Sequence, residues 1–281
     1  MTKVNKVGFQ GERGAYSHIA ALKIFPKVEI KACKTFDETF RLAAESNDVR
    51  IVVPIENSLA GRVADIHYLL PKYKLQIHSE FFLHVEHNLL AYKGTKIKTI
   101  KKIRSHGQAI GQCQKIINKY NLEPIIAADT AGSAKYLSLH KSTTEAAIAS
   151  ELSAKIYGLE ILKRNIEDET GNVTRFLVMG KEKFQPDYEK EKKYITSCIF
   201  RLKSIPSALY KCLGGFATNQ INLTKLESFS VKNSFEQVNF YLDFEGHLEN
   251  DSVKKALEEL GFHTETLEIL GVYEAHEFRG A

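Results

Sequence analysis

Between about residue 4 and residue 180, short apolar runs alternate with segments of helical period, and this alternation limits the possible folds of the chain more than any other feature. Expected strands lie at 6–9, 28–31, 50–54, 100–105, 124–127, 146–149 and 176–179. Helix-like segments lie between them at 15–25, 36–45, 64–70, 108–120, 131–139 and 151–157. Such alternation predicts an α/β fold with mainly parallel sheet. Residues 75–92, LQIHSEFFLHVEHNLLAY, form one long strand-rich stretch, read as passing between two lobes that leave a cleft. Ligands of open α/β sheets collect where strand carboxyl ends meet helix starts, so binding chemistry is expected at the strand-to-helix turns.

The pattern then changes. Residues 181–194, KEKFQPDYEKEKKY, are highly charged, contain Pro186 and read as a solvated linker. Beyond them come a strand (195–202), a helix (207–218), two strands (221–230 and 235–244), a helix (251–260) and a strand (264–270). A βαββαβ order is the ferredoxin-like split motif and implies a second, smaller domain. The expected division is therefore a two-lobed domain over 1–184, a linker over 185–194 and the βαββαβ domain over 195–281.

The 43% apolar and 26% charged residues are those of an ordinary globular protein, which argues against disorder. No segment reaches the ~18 apolar residues of a membrane span, and MTKVNKVGFQG lacks a signal-peptide core, so a cytoplasmic protein without a membrane partner is expected. The net charge of +5 is dispersed among nearly equal numbers of acids and bases, which gives no support to nucleic-acid binding. Cys33, Cys113, Cys198 and Cys212 lack CxxC spacing and read as free thiols. His78, His84 and His87 lack the companion ligands of a standard metal site, and no Walker, HExxH or GxSxG sequence occurs. Chemistry without metal or cofactor, or no chemistry, is what these readings leave.

Four strand-to-helix turns and one strand entrance are rich in groups that bind anions or hydroxyls. GFQGERGAYS offers Gln10 and Ser17 beside three glycines, although its spacing is not GxGxxG. VVPIENSLAGRV ends a buried strand in Glu56, Asn57 and Ser58, a pattern that is commonly just a turn. IRSHGQAIGQC carries Ser105, His106 and Gln108, with Ser105 as a helix cap, and AADTAGSA repeats the design with Asp129, Thr130 and Ser133. GNVTRFLVMG sets Thr174 and Arg175 at the mouth of an apolar strand; alone it describes a satisfied edge threonine.

In order, FQGERGAYS, VPIENSLAGRV, SHGQAIGQC, DTAGSA, NVTRF and ALYKCLGGFATNQINLTKLES resemble the prephenate dehydratases, in the monofunctional form with a carboxyl-terminal ACT regulatory domain. The resemblance covers nearly the whole chain, and arogenate dehydratases share it, so it leaves the choice between those two substrates open. It implies a two-lobed, periplasmic-binding-protein-like catalytic domain plus the ferredoxin-like ACT domain. It also implies a decarboxylating elimination in which prephenate loses CO2 and water to give phenylpyruvate for phenylalanine synthesis, with no cofactor.

Thr174 maps onto the threonine held essential in the family, as a hydrogen-bond donor to the departing hydroxyl. Gln10, Ser17, Asn57, Ser58, Ser105, Gln108, Thr130, Ala131 and Asn172 are the implied polar lining, with Phe176 as a pocket wall. Arg175 is expected either to clamp a substrate carboxylate or to brace the cleft, and Glu56 to organise its loop or Arg175. The ACT resemblance implies phenylalanine as effector, bound near Ala208, Leu209, Tyr210, Asn222, Leu223, Glu227 and Ser228, and assembly as a homodimer or homotetramer. The family's GALV and ESRP segments read SALY and ESFS here, which puts Tyr210 in place of a valine and Phe229 in place of an arginine. Arg13 and Gly107 stand where prolines are common. A non-catalytic carboxylate receptor and an amino-acid sensor that has lost catalysis are the competing classes.

Overall fold

The computed structural model describes residues 2–231 and 237–280. The first lobe opens with β1 (Lys6–Gln10), α1 (Tyr16–Ile24), β2 (Glu29–Cys33), α2 (Phe36–Glu45), β3 (Val49–Asn57), β4 (Gly61–Arg62), α3 (Ala64–Tyr73) and β5 (Gln76–His84). The chain then crosses to a second lobe of β6 (Asn88–Ala91), β7 (Lys102–His106), α4 (Gly107–Gly111), α5 (Gln114–Lys119), β8 (Glu123–Ala127), α6 (Thr130–His140), β9 (Glu145–Ala149), α7 (Glu151–Tyr157) and β10 (Glu160–Lys163). It returns as β11 (Val173–Gly180) and continues into β12 (Tyr194–Leu202), α8 (Ala208–Thr218), β13 (Leu223–Ser230), β14 (Val238–Glu245), α9 (Asp251–His263) and β15 (Thr264–Glu274).

Local chemistry explains most boundaries. The Thr35 side chain accepts the Glu38 N–H to start α2, while the Glu38 carboxylate reaches back to the Lys34 N–H, and Thr39, Phe40 and Ala43 make its buried face. Residues 108–120, expected as one helix, divide at Cys113, and the Asp168 carboxylate caps the second piece through the Gln114 and Lys115 N–H groups. Residues 235 and 236, expected to open a strand, lie outside the described residues.

The first sheet has the order β2-β1-β3-β11-β5 with β4 beside β3, and the second has the order β10-β6-β9-β7-β8. The expectation of mainly parallel sheet is corrected. β1 runs parallel to β2 and β3, and β7 to β8 and β9, but β11 is antiparallel to both β3 and β5. β3 ends at the cleft and β11 starts there on its return from the second lobe, so the two must run in opposite directions. The linking segments, 85–87 and 164–172, lie side by side: the Val85 N–H donates to the Asn172 carbonyl and the Ile166 N–H to the His87 carbonyl.

The βαββαβ unit folds as the sheet β13-β14-β12-β15 with α8 and α9 against it. It is not loosely tethered. Ile195, Ile199, Phe229, Tyr241, Leu270 and Tyr273 belong to the same apolar cluster as Phe40, Ile51, Ile66 and Leu177 of the first lobe. β15 lies so close to β5 that a Cβ on Gly271 would stand 2.2 Å from the Ile77 carbonyl oxygen. The second lobe has its own core, centred on Leu89, Ile103, Cys113 and Ile148. Among the described residues no helix is long and apolar enough to cross a membrane.

Candidate active site

A cleft of about 300 Å³ opens between the lobes, and the turns singled out in the sequence meet there. Gln10, Tyr16 and Ser17 come from the β1–α1 turn, His106 and Gln108 from the start of α4, Gln112 from its end, and Asp129 and Thr130 from the start of α6. Asn57 on β3, Thr174 and Phe176 on β11 and Asn172 just before it form the floor, with His87 beside them on the crossing. Among the described residues no lysine or arginine lines this cleft, and its carboxylate, Asp129, is engaged in capping α6 through the Gly132 N–H, so the donors an anionic ligand would meet are neutral. α1 supplies some of these: its N-cap is Ala15, which cannot cap, so the first-turn N–H groups remain available at the positive end of the helix dipole.

The polarity of the floor can be worked out from one fixed point. Leu59 and Ala60 donate their N–H groups to Asn57 Oδ1, at 3.0 and 2.8 Å, so the Asn57 amide nitrogen must face the other way. That nitrogen donates to Thr174 Oγ1 at 2.9 Å and to Asn172 Oδ1 at 2.6 Å. Asn172 Nδ2 consequently donates to Gln112 Oε1 at 2.9 Å, and His87 Nε2, also 2.9 Å from that oxygen, must carry a proton. The Tyr16 hydroxyl lies 2.8 Å from both His87 Nδ1 and the Glu86 carbonyl, and its one proton is shared between these two acceptors. Burial lowers the His87 pKa against the opposing pull of Gln112 and Glu167, and burial, then Cys113, Glu167 and Glu86, raises that of Tyr16. The chain is thus uncharged near neutrality. Because Thr174 Oγ1 already accepts from Asn57, its own proton is free for an acceptor in the cleft.

Arg175, the next residue, points to the opposite face of β11, as strand alternation requires. Its Nε lies 2.8 Å from Glu80, its Nη1 2.9 Å from Glu56 and 2.6 Å from Asp243, and its Nη2 2.9 Å from the Tyr273 hydroxyl. Asp243 and Tyr273 belong to the βαββαβ domain. Burial would raise the pKa of Glu56, but Arg175 and Lys225 outweigh it and hold the carboxyl below its ordinary range.

A model of the family described as prephenate dehydratase matches residues 7–184. The chain belongs to the prephenate dehydratase family. Over 273 residues it is 40% identical to a bifunctional N-acyl-homoserine lactone acylase/prephenate dehydratase of Komagataeibacter europaeus, spanning 97% of each chain. It is 38% identical to arogenate dehydratase/prephenate dehydratase 2 of Arabidopsis thaliana, over 95% of this chain and 72% of that one. A solved quorum-quenching acylase superposes with a TM-score of 0.91 at 40% identity, covering 98% of this chain and 100% of that one. The prephenate dehydratase of Arthrobacter aurescens, solved in complex with L-Phe, gives 0.87 at 27% identity, covering 96% and 90%. This prephenate dehydratase family member is therefore a lyase by family.

In this dehydratase-family chain the floor and turns bring together Gln10, Ser17, Asn57, Gln108, Thr130, Asn172, Thr174 and Phe176. Four expected lining residues stand elsewhere. Ser105 is neither a cap nor a cleft residue: it is a buried β7 residue whose hydroxyl donates to the Ile148 carbonyl, and His106 takes the capping place. Ser58 is exposed and ties Gly171 and Val173 to the end of β3. Ala131 is fully buried, so at most its N–H could reach a ligand. Arg175 faces the βαββαβ domain, and the carboxylate clamp is replaced by the bracing role, with Glu56 as its partner.

Tyr16, His87 and Gln112 join the site without having been proposed for it. Tyr16 and Gln112 sit inside motifs already marked, whereas His87 carried no signal beyond being one of three nearby histidines. Those three have separate surroundings: His78 stacks on Phe184, His84 meets Phe278 edge-on and His87 lies in the cleft.

The positions expected to bind an effector lie at the start of α8 and on the edge strand β13. Tyr210 is exposed, and the Asn222 amide donates to Glu245. Glu227 pairs with Lys225 and Arg62, and Arg62 also donates to the Ser228 carbonyl at 2.7 Å, so these two positions contact the first lobe. Phe229 is buried against His67 and Tyr68 of α3.

Proposed function

We propose that this chain catalyses the decarboxylating elimination of prephenate to phenylpyruvate, CO2 and water. The observation that carries the reading is the Asn57-to-Thr174 hydrogen bond, which leaves the proton of a cleft-lining threonine available to a ligand. Cleavage of the ring carboxylate bond sends its electron pair into the ring as CO2 departs, and the ring expels the 4-hydroxyl as it becomes aromatic. The departing oxygen gathers negative charge, Thr174 stabilises it by donating a hydrogen bond as it leaves, and the hydroxide takes from solvent the proton that makes it water. The uncharged chain behind Thr174 suits this role, because donors fixed before the reaction need no rearrangement at the transition state.

The substrate's two carboxylates are assigned to the neutral donors Gln10, Ser17, Gln108 and Thr130 and to the N–H groups opening α1 and α6. Arogenate, which differs by an amine in place of the ketone, is the other candidate, and a rate comparison of the two assigns the substrate. Formation of phenylpyruvate, followed through its enol absorbance, tests the reading; no product from prephenate at any protein concentration would overturn it.

Phenylalanine is the proposed effector, bound in the ACT domain near Ala208 to Tyr210 and Asn222, with assembly as a dimer or tetramer through that domain and a cytoplasmic site of action. The reading expects phenylalanine to lower the rate and raise the sedimentation coefficient together. An unchanged rate at saturating phenylalanine would count against it.

A further inference from the structure

On β3 and β11 two cross-strand pairs lie next to each other: Thr174 opposite Asn57, and Arg175 opposite Glu56. The first pair is the floor of the cleft. The second is held from the other side by the βαββαβ domain. Asp243 on β14 bonds Arg175, and Lys225 on β13 lies 2.7 Å from the second Glu56 oxygen. Arg279 closes the arrangement by gripping Glu80, the third carboxylate around Arg175, at 2.6 and 2.9 Å. Three carboxylates, Glu56, Glu80 and Asp243, therefore face three cations, Arg175, Lys225 and Arg279. Asp243 and Glu80 are fully enclosed and the Lys225 side chain is 7% exposed, so water cannot replace a missing partner cheaply.

Neither domain contains the whole network. The first lobe contributes Glu56, Glu80 and Arg175, and the second domain with its terminal turn contributes Asp243, Lys225 and Arg279. Asp243 is itself fixed, accepting from Ser197, which also meets the Tyr273 hydroxyl at 2.8 Å. A β-bulge between Arg175 and Phe176 interrupts the register with β3 beside this pair, while the pairing with β5 runs unbroken from Val173 to Val178, so the β3 side of the strand is the less firmly held. On that side the partners across the interface add a restraint through the side chains of Arg175 and Glu56.

We infer that Asp243 and Lys225, residues of the regulatory-type domain, are positioning residues for the elimination, holding the Arg175–Glu56 pair and through it the adjacent Thr174–Asn57 pair. The inference rests on the assignment of Thr174 as the donor. A donor to a departing oxygen must be placed to within a fraction of an ångström, and the neighbours of Thr174 and Asn57 on their strands, Arg175 and Glu56, are held by charges from across a domain boundary. Ligand binding in the second domain has a direct route to the rate by this arrangement, without any contact to the cleft.

The test uses the full chain with Asp243→Asn, Lys225→Met and Lys225→Arg. For Asp243→Asn and Lys225→Met, kcat is expected to fall on the order of tenfold with KM changed less than about twofold, and Lys225→Arg to recover most of the loss. Hydrogen exchange at Val173–Gly180 should quicken in Asp243→Asn while β7 and β9 of the second lobe stay unchanged. Wild-type kcat in folded Asp243→Asn, or unaltered exchange in β11, would overturn the inference. If the wild-type chain does not turn over prephenate, the reaction assignment fails, and the exchange measurement still decides whether Asp243 restrains this strand.

Discussion

Thr174 and Arg175 are neighbours on one strand, yet they face two different kinds of polar environment. On the Thr174 side, Asn57, Asn172, Gln112, His87 and Tyr16 make an uncharged hydrogen-bonded chain beside an open cleft. On the Arg175 side, full charges are packed between two domains, with Arg175, Glu80 and Asp243 closed off from water. The contrast separates two tasks. A reacting hydroxyl needs its proton free for the ligand and a local field that does not trap the substrate's own charges. A domain junction needs partners that are costly to separate, and buried ion pairs provide this even where they add little net stability.

The largest expected effect breaks the first side alone. Thr174→Ala should lower kcat by roughly 10²–10⁴-fold, or about 3–5 kcal/mol of barrier, with little change in melting temperature. Arg175→Met should do the reverse in emphasis: removing one partner of a buried network costs about 3–5 kcal/mol of stability, read by denaturant titration, with the activity loss secondary to it. Gly271→Ala probes the junction sterically. Its new Cβ would meet the Ile77 backbone at 2.2 Å, so β15 must move away from β5, with a cost of about 1–3 kcal/mol and faster proteolysis of the 181–194 segment.

A smaller effect follows from pH. Burial, reinforced by Arg50, pushes the pKa of His78 down to about 4. Its folded value lies below its unfolded value of about 6.5, so the stabilisation is complete above that pH and is lost as pH falls toward the folded value. About 2 kcal/mol should be lost by pH 5, and His78→Gln should flatten the stability profile between pH 7 and 5. Glu56 and Glu80, also held low, carry the dependence below about pH 4.3, where acid should loosen the junction.

Much of the first side was legible in the sequence. The turns around Gln10, Asn57, Gln108, Thr130 and Thr174 announce themselves as polar groups at the ends of apolar strands, and the cleft collects them. Ser105 was misread because a serine before a helix looks like a cap, whereas strand β7 extends one residue past it and turns its hydroxyl inward. The Arg175 side was far less legible. From the sequence the strand-like run begins at Phe176, since nothing local shows that an arginine can be buried; its partners Glu80, Asp243 and Tyr273 are 95, 68 and 98 residues away. Phe229 was read against an effector motif, but its burial against α3 makes it part of the junction.

The most direct test of the account compares phenylpyruvate formation from prephenate by the wild-type chain, Thr174→Ser and Thr174→Ala, each shown to be folded. Serine keeps the hydroxyl that Asn57 orients, so the account predicts at least about a tenth of the wild-type kcat for Thr174→Ser and less than about a hundredth for Thr174→Ala. Equal rates for the serine and alanine variants would contradict the assignment of the Thr174 hydroxyl as the donor to the departing oxygen.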